Sequence, residues 1–157
     1  MGADIYLESV NNACHSKWER KFDAAVAKRN QAVRGSALEK ELQKKVDEAY
    51  NGMFGQGYFR DCYNGYGLFA QMSRSWWADV VPMLDDDNYL PINKVRELRD
   101  RVAAEPLNLA SAKKVAREQK DKAPACGWKA HYESWRKELL DILDQSIALG
   151  EPLRCSL

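Results

Sequence analysis

The amino-acid sequence predicts an all-α fold: a single-domain helical bundle over residues 1–157, with room for a short N-terminal strand. Three observations predict it. Apolar residues recur at helical spacing in several long stretches, cap and stop residues stand where those stretches begin and end, and alternation of apolar with polar residues is confined to the first few positions. A chain of 157 residues has the length of one domain and can bury a core without disulfides or a metal.

Ile5 and Leu7 alternate with polar neighbours and predict an extended start. Trp18, Phe22, Ala25, Val26, Arg29 and Val33 then recur at helical spacing, so residues 10–34 read as one amphipathic helix that Arg34-Gly35 ends. Ser36 and Glu39 form the pattern of a capping box, and Leu38, Leu42, Val46, Ala49, Tyr50 and Met53 make the stripe of a second helix. An antiparallel helical hairpin is therefore expected. Between Gly52 and Gly67 five glycines fall among aromatic residues, which predicts a short helix with irregular shoulders. Ser75 is placed to cap residues 76–84, a piece shortened or kinked by Pro82, and 85–88 read as a solvated turn.

Leu90-Pro91 opens a helix with Ile92, Val95, Leu98 and Val102 on one face, closed by Pro106. Residues 107–122 are rich in Ala and Lys and predict a peripheral helix. The strongest stripe is the last: Trp128, Tyr132, Trp135, Leu139, Ile142, Leu143 and Ile147, stopped by Gly150 and Pro152. The stripes of the long helices predict that Trp18, Phe22, Leu42, Val46, Trp135, Leu139 and Ile142 share one core.

Composition excludes several function classes. Apolar residues at 45% exclude a disordered chain, and Lys plus Arg at 24 against Asp plus Glu at 23 leaves no global field to draw nucleic acid or an anionic membrane. Nucleic acid is thus not expected as the main partner. No apolar stretch approaches a membrane span and no basic-then-apolar leader opens the chain, so no membrane association is expected. Cys14, Cys62, Cys126 and Cys155 are widely spaced without a Cys-x-x-Cys pair and read as reduced thiols, which places the protein in the cytoplasm. Gly2 invites a myristoylation reading, but Tyr6 stands where that motif takes Ser or Thr.

Three motifs compete with structural explanations. Gly65-Tyr66-Gly67-Leu68-Phe69-Ala70 matches the dinucleotide fingerprint, yet a polar aromatic stretch precedes it where a buried strand belongs, and Pro82 comes too soon after it; two glycines in an aromatic turn account for it. Counted as a calcium loop from Asp86, the acidic turn puts Leu90 and Pro91 where an oxygen ligand and a glycine belong. Cys14, His15, Cys126 and His131 lack the spacing of a zinc site. No catalytic residue, metal or cofactor is expected from these patterns.

The stretch from residue 57 to 79 carries the strongest functional signal. It gathers Tyr58, Arg60, Asp61, Tyr63, Asn64, Arg74, Trp76, Trp77 and Asp79, and aromatic faces beside guanidinium groups supply stacking, cation–π contact and planar hydrogen bonding. The competing explanation is structural: the aspartates pair with the arginines to orient helices, while Tyr and Trp fill the interior.

Met1-Gly2-Ala3-Asp4-Ile5-Tyr6-Leu7, the pattern Gly-Tyr-Phe-Arg-Asp-x-Tyr-Asn at 57–64 and the pattern Ser-Trp-Trp-x-Asp-Val-x-Pro-Met-Leu at 75–84 resemble a family of short uncharacterised proteins of phages and prophages. Cys62 departs from that pattern, standing where a small polar residue is expected. The resemblance implies a phage or mobile-element setting within the host cytoplasm, and no chemistry. From the residues and this setting the expected function is a non-enzymatic accessory protein, a counter-defence factor that binds a host protein or sequesters a small anionic, nucleotide-like ligand. The alternative is a small metal-dependent enzyme acting on a nucleotide or related metabolite, with Asp61, Asp79 or the acidic turn holding the metal.

Overall fold

A computed structural model describes residues 2–157; Met1 of the opening motif lies outside them. Most of the chain is helical, in the places the periodicity predicts: α1 (Glu8–Gln31), α2 (Ala37–Met53), α4 (Ile92–Ala104), α5 (Ala110–Gln119) and α6 (Trp128–Leu149). The Ser36 hydroxyl accepts from the Glu39 N–H at 3.1 Å, while the Glu39 carboxylate takes the N–H of Gly35 instead of that of Ser36. Gly150 ends α6 at φ 65°, a left-handed conformation that glycine adopts without a Cβ clash.

The fold is not purely all-α. Four short strands, β1 (Gly2–Tyr6), β2 (Tyr58–Cys62), β3 (Tyr89–Leu90) and β4 (Leu153–Ser156), form one sheet in the order β2-β1-β4-β3. β4 runs antiparallel to both neighbours, with Ile5 opposite Cys155 and Leu90 opposite Leu153. Only β1 is legible in the sequence. β3 and β4 are too short to display a period of two, and the inward positions of β2 are Phe59 and Asp61, so a buried carboxylate hides the alternation.

The chain clusters into two compact units: Glu8–Tyr58, and the N-terminal segment through Leu7 together with Phe59–Leu157. In the second unit the inward residues of the sheet, Ala3, Ile5, Phe59, Leu90, Leu153 and Cys155, are buried. So are Val95, Leu98 and Val102 of α4 and Leu139, Ile142 and Leu143 of α6, two helices that pack on each other. The first unit is the expected helical hairpin. Leu42, Val46, Ala49 and Met53 of α2 are buried there, whereas Trp18 and Phe22 of α1 stay half-exposed. The residues expected to share one core are thus divided between the units, and Trp18 and Phe22 are not fully buried.

Candidate functional site

Asp61 organises the segment between β2 and α4. It is the inward-pointing carboxylate of β2, 1% exposed, and its two oxygens accept four hydrogen bonds. Oδ1 takes the backbone N–H of Cys62 at 2.7 Å and of Leu68 at 2.8 Å; Oδ2 takes the N–H of Phe69 at 3.1 Å and the indole Nε1–H of Trp76 at 2.7 Å. Burial pushes the carboxyl pKa up, against the pull of these donors. Leu68 and Phe69 begin the one-turn helix α3 (Leu68–Gln71), so the carboxylate occupies the place that a bound phosphate would take at a dinucleotide fingerprint. Gly67 makes this approach possible: a Cβ there would lie 2.0 Å from the carbonyl oxygen of Cys62.

Around Asp61 lies a set of polar contacts, from buried to exposed, whose hydrogen bonds the sequence did not mark. Gln71, fully buried, donates from Nε2 to the carbonyls of Gly65 at 2.7 Å and Gly67 at 3.1 Å, while its Oε1 accepts from the N–H of Ala112 at 3.2 Å and so ties α3 to α5. The Tyr132 hydroxyl donates to the carbonyl of Tyr66 at 2.6 Å, and Trp135 Nε1–H to that of Arg60 at 3.1 Å, which fastens α6 to both ends of the loop. The Tyr66 hydroxyl donates to Asp121 at 2.5 Å, and that bond pushes its pKa up to about 12. Gln71 and Tyr132 gave no signal beyond a polar residue in a short helix and an aromatic on a stripe.

The nine candidate residues divide accordingly. Asp61 and Trp76 are buried, and the Trp76 ring stacks on Phe69 at 3.8 Å. Trp76–Val80 forms a π-helical turn with a 3-10 turn, Val81–Met83, after it, the interruption that Pro82 predicts. Ser75 caps the π turn through the N–H of Ala78. Arg74 is held between two carboxylates, donating from Nε to Glu105 at 3.1 Å and from Nη1 to Asp79 at 3.4 Å. Asp79 also accepts the N–H of Ser75 at 2.8 Å. Asn64 serves the turn itself, its Oδ1 accepting from the N–H of Tyr66 at 2.9 Å and from the Cys62 thiol at 3.1 Å. Tyr58 belongs with the hairpin, its ring 5.1 Å from that of Phe54.

What remains at the surface is a smaller group. Trp77 is 57% exposed and its ring lies 5.8 Å from that of Tyr63. Asp4 on β1 raises the Tyr63 hydroxyl pKa, second to burial, and pairs with Arg60 at 3.6 Å. Arg60 extends outward, its side chain 60% exposed. Asp61, expected to orient Arg60, faces the opposite side of β2, and Asp4 takes that role. The hydroxyl of Tyr63 is itself buried without a hydrogen-bond partner.

Members of the remaining motifs make local contacts. Asp85 Oδ1 accepts the N–H groups of Asp87 at 3.1 Å and Tyr89 at 2.8 Å, closing the acidic turn on itself. The Cys14 thiol donates to the Gly52 carbonyl at 3.0 Å, and His131 meets Tyr132 edge to face at 5.1 Å. Among the described residues no group of three His, Cys, Asp or Glu side chains is gathered to hold a metal ion, and no helix is long and apolar enough to cross a membrane. Comparison of the chain with family models, curated proteins and solved structures finds no match.

Proposed function

We propose that this chain is a non-enzymatic binding protein that presents Trp77, Tyr63 and Arg60, with Asp4 beside them, to a host protein or a small anionic, nucleotide-like ligand. The observation that carries the reading is the exposure of Trp77. A large indole more than half in solvent, against a second ring, is the composition of an interface anchor. Beneath it the Asp61 contacts hold the backbone of β2 and the π turn, so the anchors sit on an ordered base. The setting we propose is that of a phage or mobile-element accessory protein acting in the host cytoplasm as a counter-defence factor; its support is the resemblance of residues 1–7, 57–64 and 75–84.

The enzymatic alternative needs a free carboxylate. Asp61 shares its oxygens among four donors, and those of Asp79 are engaged by Ser75 and Arg74. These two aspartates are thus committed to the fold, and among the described residues the acidic turn gathers no third ligand beside it, which supports binding over metal-assisted turnover. The test is capture of host proteins and of a nucleotide panel by the immobilised protein, with Trp77→Ala and Arg60→Ala alongside. Both substitutions should abolish capture while the fold persists, and Trp77→Ala should change stability by no more than about 0.5 kcal/mol, as exposed positions do. Equal capture by the variants and the wild type, or none by the wild type, refutes the proposal.

A further inference from the structure

The helical hairpin carries a second surface, independent of Trp77. α1 is 24 residues long and buries a single side chain, Asn11. Its apolar residues cover α2 from one side only, and Trp18, Phe22, Ala25 and Val26 remain half-exposed. Between the two helices runs an open groove of about 360 Å³ whose floor is Trp18, Ala25, Leu42 and Ala49. Its rim is exposed and charged: Lys21, Lys28 and Lys45 stand beside Glu48, and Lys45 pairs with Glu41 at 3.2 Å. The Trp18 indole lies flat on Gly52, where a Cβ would come within 2.4 Å of the ring, and the Lys21 ammonium sits 4.1 Å above the ring centre.

We infer that this groove docks an acidic amphipathic helix of a partner protein, which completes a three-helix bundle. Small residues at Ala25 and Ala49 admit a close third helix, and Trp18 to Lys28 spans about 15 Å, roughly three helical turns. The rim determines the partner's charge. Lys21 and Lys28 on α1, with Lys45 shared between Glu41 and the groove, attract glutamate or aspartate flanking the partner's apolar stripe, as flanking charges do in coiled coils. The same rim argues against a second copy of this chain, because two such grooves face to face oppose lysines to lysines.

The test uses the full chain and two labelled helical peptides of about 15 residues, each with a leucine stripe, one flanked by glutamates and one by lysines. By fluorescence anisotropy the acidic peptide should bind about tenfold more tightly or better, and the margin should shrink as salt rises. Lys21→Glu/Lys28→Glu/Lys45→Glu should reverse the preference, and Lys28→Glu alone should reduce it, with unchanged helical content; Trp77→Ala should leave it intact. Equal binding of both peptides, binding of neither, or an acidic preference that survives the triple reversal overturns the inference. So does a dimer in sedimentation velocity that Lys28→Glu either strengthens or dissolves, since it would assign the groove to a second copy.

Discussion

Replacing Asp61 by Ala removes the acceptor of four hydrogen bonds at once. The Leu68 and Phe69 N–H groups and the Trp76 indole N–H are buried and lose their acceptor oxygen, while the Cys62 N–H is only partly buried. At about 1–3 kcal/mol for each stranded buried donor, three of them set a ceiling of roughly 3–9 kcal/mol. Two effects lower it. The variant no longer carries a desolvated carboxylate, and water entering the vacated space can satisfy one or two donors. The expected net loss is about 3–5 kcal/mol, a large share of the 5–15 kcal/mol that holds a typical domain together.

Urea unfolding followed by far-ultraviolet circular dichroism measures this loss, and tryptophan emission reports the release of Trp76. Asp61→Asn keeps one oxygen but turns an amide N–H₂ toward donors, so a smaller loss is expected. The pH dependence has a definite sign. Burial raises the folded-state pKa of Asp61 above the ordinary 3.8, so the folded chain holds this proton more tightly than the unfolded one. The stabilisation linked to it is complete below the unfolded value and is lost as pH rises through the folded value. The stability gap between wild type and Asp61→Asn should therefore narrow from about pH 4 upward. A loss below about 1 kcal/mol in Asp61→Ala would refute the view that this carboxylate holds the segment together.

Three further outcomes are expected. Gly67→Ala places a Cβ 2.0 Å from a backbone oxygen that cannot swing aside, so it should cost at least the roughly 1–3 kcal/mol of an overpacked core, read by thermal unfolding. Leu139→Ala, at a fully buried position of α6, should cost about 2–5 kcal/mol; a near-neutral result would show that the α6 stripe is not a packed core. Burial pushes the Cys155 thiol up to about 12, so at mildly alkaline pH iodoacetamide should modify exposed Cys126 and spare Cys155 until the chain unfolds, as mass spectrometry of the digested protein would show.

Local periodicity and local stop signals made the long helices readable from the sequence alone, because a helix is closed by contacts three and four residues apart. Ser36, Pro82, Pro91 and Gly150 stand where the backbone caps, kinks, starts or stops. The sheet was legible only at β1, since β4 lies between two strands far from it in the chain and alternates over just four residues. The candidate segment was readable as composition and not as geometry. Nothing in Tyr-Phe-Arg-Asp-Cys distinguishes a carboxylate aimed at solvent from one aimed at a helix start; that depends on the strand's register, which sends Asp61 inward with Phe59 and leaves Arg60 outside with Asp4. Likewise the neighbouring tryptophans are chemically equal in sequence, and only the π turn, capped by Ser75, turns Trp76 onto Asp61 and leaves Trp77 in water.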